Sequence, residues 1–446
     1  MLIEFKVANY RSIREEQTLS MVASNYSDEL PENLIPCDLP GMKGTRLVKT
    51  VALYGANASG KSNLVAALRF FAEFVRDSAT KLQPGAPTST QPFKLDPVCL
   101  NQPSKFEITA VIGGIRTLYG IEMTRERVTS EYLVAYPKGR PQVWFERDWD
   151  TAKRKYIWSR STEHFKHDAA LREKTRENAA FVSVGASFNQ PQLIAVYSAL
   201  SEKINFLDVA KNNLSVPHPD CTPWSTAGAL TAIKTMDRKG ELSDAGRVLS
   251  DTISKMVTNA DLGIAGVDAE ELDPDVDELW PNTTPEAKRE LRKEIQEKGL
   301  RACRITFLHK NAGLQPVPLD FSEESVGTQR YFSLLGHILA AVIDSNILVL
   351  DEIETSLHPQ LVRAVIKWVI ERSIGSQLIF TTHDPFLLDQ TLLRRDQIWF
   401  TEKDEEGATK LYPLTDYKAR NDESLVRGYL SGRYGGVPFI PDGLKF

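Results

Sequence analysis

The chain's most informative stretch is the octapeptide Gly55–Ser62, which reads G-A-N-A-S-G-K-S and matches the pattern G-x-x-x-x-G-K-[ST]. In this pattern the glycines allow backbone N–H groups to surround the phosphates of a nucleotide. Lys61 would bind the β- and γ-phosphates, and the hydroxyl of Ser62 would bind Mg²⁺. We therefore predict a phosphate-binding loop formed by Gly55, Ala56, Asn57, Ala58, Ser59, Gly60, Lys61, Ser62 and Asn63.

A second run of residues predicts the metal and water chemistry that such a loop needs. Asn346–Glu352 reads N-I-L-V-L-D-E, four aliphatic residues followed by two carboxylates. Asp351 would hold Mg²⁺ together with Ser62, and Glu352 would orient the attacking water and accept its proton. The same ending occurs on ordinary strands, so this prediction depends on the phosphate loop before it and on the T-T-H-D run after it.

The T-T-H-D run places His383 directly after another short apolar stretch, residues 377–380. The carboxyl ends of parallel strands form the crevice in which α/β proteins bind ligands. His383 could there contact the γ-phosphate and take part in catalysis with Lys61 and Glu352. The alternative is a buried histidine with ordinary packing partners, and the neighbouring motifs favour the functional interpretation.

The residues around the phosphate loop predict the elements that position it. A β-rich apolar run, Leu47–Tyr54, precedes the loop, and apolar residues recur at helical spacing from Leu64 to Val75. A strand, a glycine-rich loop and a helix in this order direct the positive end of the helix at a bound phosphate. This context argues against a chance lysine in a glycine-rich turn.

The element pattern divides the chain into three parts. Residues 1–164 carry the phosphate loop and an alternating run over 105–160 that predicts a β-meander. Residues 165–300 are mainly helical in pattern, and residues 301–446 again alternate short apolar strands with helices. We therefore predict an α/β fold of the P-loop NTPase class, in which a helical insertion splits a mixed-sheet core into an N-terminal and a C-terminal half.

Composition and charge narrow the class of protein. The chain is 42% hydrophobic and 25% charged, a composition typical of soluble globular proteins. Its length of 446 residues predicts two lobes or one domain with a large insertion. No apolar stretch approaches the roughly 18 residues of a membrane helix, and the N-terminus does not resemble a signal peptide. The four cysteines show no C-x-x-C spacing, which argues against a zinc site or a disulfide framework. We expect a cytoplasmic protein with no membrane partner.

The net charge of −5 bears on nucleic acid as a partner. Proteins that hold DNA through many phosphate contacts carry a surplus of basic residues. Arg394–Arg395 and Lys153–Lys155 are the local basic runs, and ordinary solvated charge is the favoured interpretation of each. The net charge therefore does not indicate DNA as a partner, although DNA remains among the candidate partners.

Taken together, these motifs resemble a known family. Four features follow one another along the chain: the phosphate loop, a signature helix that begins near Ser325, the strand that ends in Asp351 and Glu352, and the switch histidine His383. This order is that of ABC-type ATPases rather than of ring-forming AAA+ proteins. The opening F-K-V-A-N-Y-R-S-I resembles the SMC/RecF/OLD group. The phrases E-S-V-G-T-Q-R, L-D-E-I-E-T-S-L-H-P and L-V-R-G-Y-L-S-G-R-Y-G-G-V-P-F resemble RloA-type ATPases. These are AAA-family ATP/GTP phosphatases, and they include AriA, the ATPase subunit of the PARIS phage-defence system. The likeness covers nearly the whole chain.

The resemblance implies roles for further residues near the nucleotide. Arg11 and Ser12 would lie beside it, and Gln91 would be the Q-loop glutamine that reaches the metal. The implied cofactors are ATP and Mg²⁺, and the implied activity is ATP hydrolysis to ADP and phosphate. No residue that would read the base can be identified, so the choice between ATP and GTP stays open.

The resemblance also implies a shared site between two subunits. Ser325 and Gly327 open the predicted signature helix, and a helix N-terminus binds anions. In an ABC-like fold these two residues would close on the nucleotide of a partner subunit, and the D-loop Glu354–His358 would bring Ser356 to the dimer interface. The simpler alternative for Ser325 is N-capping of its own helix.

Two departures limit what can be carried over. The insertion is too short and too poor in heptads for the long coiled coil of SMC-like repair ATPases. Only about 60 residues follow His383, too few for a fused Toprim nuclease domain.

The D-x-D-x-D cluster Asp273, Asp275 and Asp277 is interpreted as a solvated loop rather than a metal site.

The favoured function is an ATP-hydrolysing sensor or scaffold of a bacterial anti-phage system. It would form a homodimer or higher oligomer, hold or release an effector such as a neighbouring Toprim nuclease, and respond to a phage-encoded trigger. The alternative is a RecF- or SMC-like DNA-repair ATPase. A transporter ATPase is disfavoured, because roughly 260 residues separate the phosphate loop from the signature.

The C-terminal tail, residues 425–439, is a candidate docking site for an effector. Arg and Tyr often anchor interfaces, which makes Arg427, Tyr429, Arg433 and Tyr434 candidate contacts. The alternative is that these four residues pack the tail onto the core.

Overall fold

The computed structural model describes residues 1–25, 30–159, 165, 169–208, 226, 229–230, 243–260, 263–272, 276–279, 283–298, 302–311, 313, 315–417 and 424–437. The chain forms two compact units. The first contains residues 1–207, 345–353 and 366–446. The second contains residues 208–344 and 354–365.

A six-stranded mixed sheet in the first unit carries the phosphate loop. In spatial order its strands are β11 (Ile204–Asp208), β15 (Ile347–Asp351), β16 (Gln377–Thr381), β5 (Thr50–Gly55), β17 (Ile398–Lys403) and β18 (Thr409–Pro413). β15, β16, β5 and β17 run parallel, whereas β18 pairs antiparallel with β17. All residues of β5 and β16 are buried, as is usual for parallel strands covered on both faces. The carboxyl ends of the parallel strands therefore meet along one edge, where a ligand site is expected.

A seven-stranded antiparallel sheet is the other large sheet of the first unit. Its spatial order is β10 (Lys155–Trp158), β9 (Gln142–Asp150), β8 (Val128–Ala135), β7 (Ile115–Met123), β6 (Ser104–Ile112), β1 (Leu2–Ala8) and β2 (Gln17–Ser20). β6 to β10 pair in chain order, which confirms the β-meander that the sequence predicts. A small two-stranded sheet contains β3 (Leu34–Pro36) and β4 (Arg46–Val48).

Helices fill the core of the first unit. They are α1 (Lys61–Asp77), α2 (Ala169–Lys174), α3 (Phe181–Ser187), α4 (Pro191–Ser201) and α10 (Leu425–Leu430), while α9 (Pro359–Arg372) has residues in both units. Phe71 of α1 stacks on Phe106 of β6 at 5.9 Å and on Tyr119 of β7 at 5.6 Å between ring centroids. It belongs to the same buried cluster as Val51 and Leu53 of β5. The helix that follows the phosphate loop is thus anchored to both large sheets.

The second unit has its own small sheet and helices. β12 (Ile264–Leu272), β13 (Ala302–His309) and β14 (Val317–Asp320) pair antiparallel, and the helices are α5 (Asp244–Thr258), α6 (Val276–Leu279), α7 (Pro285–Lys298) and α8 (Val326–Ile343). Phe332 of α8 packs edge-on against Phe307 of β13, with the ring centroids 5.3 Å apart. The hydroxyl of Tyr331 donates to the carbonyl of Met256 at 3.0 Å, and burial raises the pKa of Tyr331 to about 12. These contacts anchor α8 to the small sheet and to α5.

The architecture confirms the predicted α/β class, with a β-meander and a mixed sheet that is assembled from both halves of the chain. β5 comes from the N-terminal half, and its neighbours β16 and β17 come from the C-terminal half. The segment predicted as an insertion, residues 165–300, is distributed over both units, because residues up to 207 belong to the first. Its helices α3 and α4 supply Phe181, Leu193 and Val196 to the core of that unit.

Candidate functional site

The phosphate loop connects β5 to α1, and the side chain of Lys61 folds back over it. The Lys61 ammonium donates to the carbonyls of Gly55 at 2.6 Å and Ala56 at 3.2 Å. Its Nζ also lies 3.4 Å from Nδ1 of His383, at the end of β16. The structure therefore brings the phosphate-binding Lys61 together with the switch residue His383, although more than 300 positions separate them in the chain.

Two threonines of the neighbouring strands hold the loop in place. Thr409 of β18 donates its hydroxyl to the carbonyl of Ser59 at 2.9 Å, and Thr401 of β17 lies 2.6 Å from the Ser59 hydroxyl. Gly60 has φ +117°, and a Cβ atom there would lie 2.1 Å from Oγ1 of Thr409. Gly60 is thus required both by its backbone conformation and by the close approach of β18. Sequence reasoning missed both threonines, since an isolated strand threonine carries no signal of such a contact.

Two of the three predicted metal ligands, Ser62 and Asp351, meet at the same edge of the sheet. The hydroxyl of Ser62 donates to Oδ1 of Asp351 at 3.2 Å, and the hydroxyl of Thr381 donates to the same oxygen at 2.7 Å. Thr381 also accepts a hydrogen bond from the backbone N–H of Glu352 at 2.7 Å. It therefore orients both carboxylate residues of the second motif. The role of Thr381 was also missed, because its place beside Asp351 follows only from the pairing of β15 with β16.

The donor set at this edge fits Mg²⁺. A hydroxyl and a carboxylate are hard oxygen ligands, and magnesium in nucleotide sites is usually held by one or two protein ligands together with phosphate oxygens. Ser62 is exposed and Asp351 is partly exposed, so both remain accessible. Among the residues that the structure describes, no group of three or more His, Cys, Asp or Glu could hold a metal ion on its own.

Glu352, the candidate general base, has an unusual backbone conformation. Its φ is +55°, in the left-handed region that residues other than glycine rarely adopt. Such strain persists only where surrounding contacts impose it, and it is concentrated at functional sites. Here the preceding β15 and the bond from the Glu352 N–H to Thr381 impose it. The turn directs the chain away from the strand immediately after Asp351.

A cavity of about 400 Å³ lies on another side of the loop helix, beside Asn63. Its wall contains Arg11, Ser12, Gln91 and Lys403 as well as Asn63. The side-chain amide of Asn63 donates to the Ser12 hydroxyl at 2.7 Å, and the Arg11 N–H donates to the carbonyl of Gln91 at 2.6 Å. The structure thus gathers the residues that the resemblance places near the nucleotide. The wall of this cavity includes neither Ser62 nor Asp351.

Arg11, Lys94 and Lys403 give the cavity wall its positive character. Burial lowers the pKa of the Lys403 ammonium from its ordinary value, and its Nζ donates to the carbonyl of Gly407 at 2.7 Å. Arg11 has φ +50°, and its guanidinium lies 5.6 Å from the ring centroid of Tyr10. A cavity that combines these basic groups with the apolar side chains of Phe93 and Leu95, next to a phosphate loop, is suited to the sugar and base of a nucleotide.

The signature residues belong to the second unit. Ser325 accepts a hydrogen bond from the Thr328 N–H at 3.1 Å and thereby caps α8, while the residue itself remains exposed. A Cβ atom at Gly327 would lie 2.8 Å from the carbonyl oxygen of Ser356. Arg330 donates to the Ser356 hydroxyl at 2.9 Å. The start of the signature helix and the D-loop are therefore packed directly on each other within this unit.

The charged runs that the sequence singled out have local partners. Arg394 is buried and forms an ion pair with Asp396 at 2.8 Å, and Lys153 pairs with Asp150 at 3.3 Å. Asp277 forms ion pairs with Lys288, at 3.1 Å, and with Arg292. Asp273 and Asp275 lie outside the described residues. These contacts support the interpretation of the runs as ordinary surface or structural charge.

The tail residues divide into two pairs. Tyr429 and Tyr434 are buried, at 5% and 0% exposure, whereas Arg427 and Arg433 are exposed. The hypothesis that the tyrosines contact a partner is wrong, because both rings pack onto the core of the first unit. Of the four, the two arginines are the ones that lie at the surface.

The chain is similar to several solved structures and matches one family profile. Among solved structures, the chain is similar to an Smc head bound to the C-winged helix domain of ScpA, with 15% identity, a TM-score of 0.43, and coverage of 92% of this chain and 97% of that one. It is also similar to a Pyrococcus furiosus Smc head with an extended coiled coil bound to the C-terminal domain of ScpA, with 12% identity, a TM-score of 0.40, and coverage of 97% and 98%. For the Thermotoga maritima SMC head domain the identity is 12%, the TM-score 0.37, and the coverage 92% and 98%.

No curated protein matched the chain. None of the helices in the described ranges combines the length and the apolar character needed to cross a bilayer. A family profile, in contrast, matches residues 51–184 and 266–389, which together make up more than half of the chain. These two stretches include the phosphate loop, the signature, Asp351, Glu352 and His383. The chain therefore belongs to the family described as "AAA domain, putative AbiEii toxin, Type IV TA system".

Proposed function

We propose that the protein is a Mg²⁺-dependent ATPase. The observation that carries this proposal is the meeting of Lys61, Ser62, Asp351 and His383 at one edge of the mixed sheet, with Glu352 next in the chain. Lys61 would exchange its bonds to the Gly55 and Ala56 carbonyls for bonds to the β- and γ-phosphates. Ser62 and Asp351 would hold Mg²⁺, which would neutralise the charge that develops on the phosphates.

Glu352 would act as general base. A carboxylate at this position can accept the proton of the attacking water, while the neighbouring Asp351 remains engaged by Thr381 and Ser62. His383, whose ring lies next to the ammonium of Lys61, would contact the γ-phosphate. The cavity beside Asn63 would accommodate the nucleoside, which Arg11 and Ser12 would contact. Gln91 would reach the metal only if the loop that carries Gln91 moves.

The test is phosphate release with Mg²⁺ and ATP by the wild-type chain and by Glu352→Gln. The amide keeps the size of the side chain but cannot accept the water's proton, so hydrolysis should fall by about 10²-fold or more while ATP binding persists. Asp38→Asn, an exposed acid in a loop remote in sequence from every motif, is the matched control and should retain full activity. Wild-type hydrolysis by Glu352→Gln would show that another group is the base.

We further propose that the signature works in trans, so that two subunits form two composite nucleotide sites. Ser325 is exposed at the N-terminus of an 18-residue helix, where an anion is favourably bound. A homodimer or higher oligomer would then be the active form, and ATP would tighten it. This arrangement would make oligomeric state a direct readout of nucleotide occupancy.

The biological role we propose is that of a switch in a defence system of the abortive-infection or toxin–antitoxin kind, as in the RloA-type ATPases. The family description names a toxin of a type IV system, which supports this role. The chain would hold or release an effector, such as a nuclease encoded next to it, in response to a phage-encoded trigger. A nucleotide can drive such a switch only if the effector binds the two nucleotide states with different affinity.

Co-expression with the product of the adjacent gene tests this role. Capture of that product from the mixture, with a difference between ATP and no nucleotide, is the expected result. A chain that captures no neighbouring product but binds duplex DNA, with affinity that falls steeply as salt rises, would instead be a DNA-repair ATPase.

A further inference from the structure

The C-terminal segment Ser424–Val437 contributes no residue to the metal site or to the wall of the nucleoside cavity, yet it is firmly built into the first unit. Ser424 caps α10 through a hydrogen bond from the Arg427 N–H at 3.4 Å. After α10 the chain turns back, and Tyr434 is fully buried. A Cβ atom at Gly428 would lie 2.5 Å from the ring of Tyr434, so the turn needs a residue without a side chain there.

The two tyrosines of this segment pack on the strands that flank the phosphate loop. Tyr429 stacks on Phe400 of β17 at 5.9 Å and meets the edge of Tyr54 of β5 at 5.5 Å between ring centroids. Tyr434 stacks on the same Phe400 at 6.0 Å. The Tyr429 hydroxyl donates to the carbonyl of Gly436 at 3.3 Å, which closes the segment on itself.

Tyr54 connects this aromatic cluster to the switch loop. It immediately precedes Gly55 of the phosphate loop, and its hydroxyl donates to the carbonyl of Asp384 at 3.2 Å. Asp384 follows His383 and accepts from the Phe386 N–H at 2.9 Å. The short helix Pro385–Leu387 in turn packs against α10. Gly436 approaches the start of the phosphate loop, where its Cβ position lies 3.5 Å from the Cα of Gly55.

From these contacts we propose that Ser424–Val437 is a positioning segment, which holds the switch-histidine loop in register with the phosphate loop through Tyr429 and Tyr54. The proposal rests on the proposed ATPase function. Tyr54 can keep its hydroxyl on Asp384 only while its ring is fixed, and Tyr429 packs against that ring in a T-shaped arrangement from outside the sheet. The distance between His383 and Lys61 then depends on a segment that never touches the nucleotide.

The decisive variants separate the hydrogen bond from the packing. Tyr54→Phe removes the hydroxyl that bonds to Asp384 and keeps the ring, whereas Tyr429→Ala removes the ring that supports Tyr54. Both variants should lower kcat about tenfold or more and change KM less than twofold. The reason is that a displaced His383 would stabilise the transition state less but would affect ATP binding little. Tyr429→Phe retains the ring and should retain most of the wild-type kcat. Leu430→Ala, on the exposed side of the same helix at 63% exposure, is the control and should behave as wild type.

Amide hydrogen exchange gives a readout that does not depend on hydrolysis. The Phe386 and Leu387 amides bond to the Asp384 side chain and carbonyl, so Tyr54→Phe and Tyr429→Ala should speed their exchange while Leu430→Ala does not. If the wild type hydrolyses ATP and both variants keep its kcat, the positioning role is refuted. If the wild type hydrolyses no nucleotide, the ATPase proposal fails. In that case the exchange measurement decides the positioning role, which is refuted if the Phe386 and Leu387 amides of Tyr54→Phe exchange at the wild-type rate. Should Tyr429→Ala fail to fold, Tyr54→Phe decides the matter by the same two measurements.

Discussion

At the scale of single residues, the site depends on small groups that no motif contains. Thr381 bonds both to Asp351 and to the backbone of Glu352, and Thr409 closes against Gly60. The motif residues supply the charges and the proton acceptor, whereas these threonines determine where the charges lie. Placement of this kind is what electrostatic catalysis requires, since its donors and acceptors must be in position before the reaction begins.

Thr381→Val should therefore impair the metal site without removing a ligand. The substitution keeps the shape of the side chain but leaves the Asp351 oxygen and the Glu352 N–H without their shared hydroxyl. We expect a higher Mg²⁺ concentration for half-maximal activity and a kcat about tenfold lower, in line with the 10- to 100-fold effect of outer-shell partners. Thr381→Ser keeps a hydroxyl and should restore most of the activity. An unchanged Mg²⁺ titration for Thr381→Val would show that Asp351 is held by other groups.

Gly60→Ala should abolish nucleotide binding through a clash as well as through backbone strain. A methyl group there overlaps Thr409, so either the loop or β18 must move. Gly85→Ala is the matched control, because Gly85 has φ +77° but open space around its Cβ position. The control should cost only the conformational term of about 1–2 kcal/mol and bind ATP normally. Isothermal titration of ATP into both variants distinguishes them, and normal binding by Gly60→Ala would contradict the assignment of the loop contact.

At the scale of secondary structure, a buried ion pair joins the antiparallel sheet to α3. Arg147 of β9 and Glu131 of β8 are both fully buried and pair at 2.6 Å. Glu131 also accepts hydrogen bonds from the N–H groups of Phe181 and Val182 at the start of α3. A carboxylate at a helix N-terminus interacts favourably with the helix dipole. The pair therefore fixes where α3 begins.

Glu131→Gln should destabilise the first unit by about 3–5 kcal/mol, because it leaves the Arg147 guanidinium buried without its counter-charge. A double variant, Glu131→Gln with Arg147→Met, removes the stranded charge and should recover a large part of the loss. Thermal unfolding followed by circular dichroism gives the comparison. If the single and double variants melt at the same temperature, the destabilisation does not arise from the unpaired arginine.

The elements around the site could be predicted from sequence to different degrees. The strand, loop and helix of residues 50–77 carry local signals, and so does the aliphatic run that ends at Asp351; the structure places them where the pattern predicts. The packing of Tyr429 on Tyr54 and the bond from Thr381 to Asp351 join distant residues. They depend on which strands become neighbours, and no local pattern encodes that. For the same reason, the sequence alone does not decide whether the tail tyrosines contact a partner or pack onto the core.

At the scale of the whole molecule, the proposed trans arrangement predicts complementation between inactive subunits. Lys61→Ala removes the phosphate-binding charge from one site, and Ser325→Arg places bulk and positive charge at the signature. Each variant should be inactive alone. A mixed dimer would still contain one site with an intact loop and an intact signature, so mixing should restore up to about a quarter of the wild-type activity per total subunit for random pairing of two independent sites.

Phosphate release from mixtures of the two variants at several ratios measures this effect. Recovery should peak near equal amounts and vanish when either variant is in large excess. Mixing either variant with buffer alone is the control for concentration. Activity that never rises above the sum of the separate variants would mean that each subunit completes its own site.

The strand order of the mixed sheet also governs how the protein can be made. β5 lies between β16 and β17, so about 320 residues must follow it before its first neighbour is synthesised, which takes roughly 15–65 s at common elongation rates. During that time a strand that is entirely buried in the folded protein has both edges unpaired and is open to aggregation. The β-meander, whose strands pair in chain order, can form while the chain is still growing, but the phosphate loop cannot. Premature termination before residue 403 would therefore release a chain whose nucleotide site was never assembled, however much of its N-terminal half had already folded.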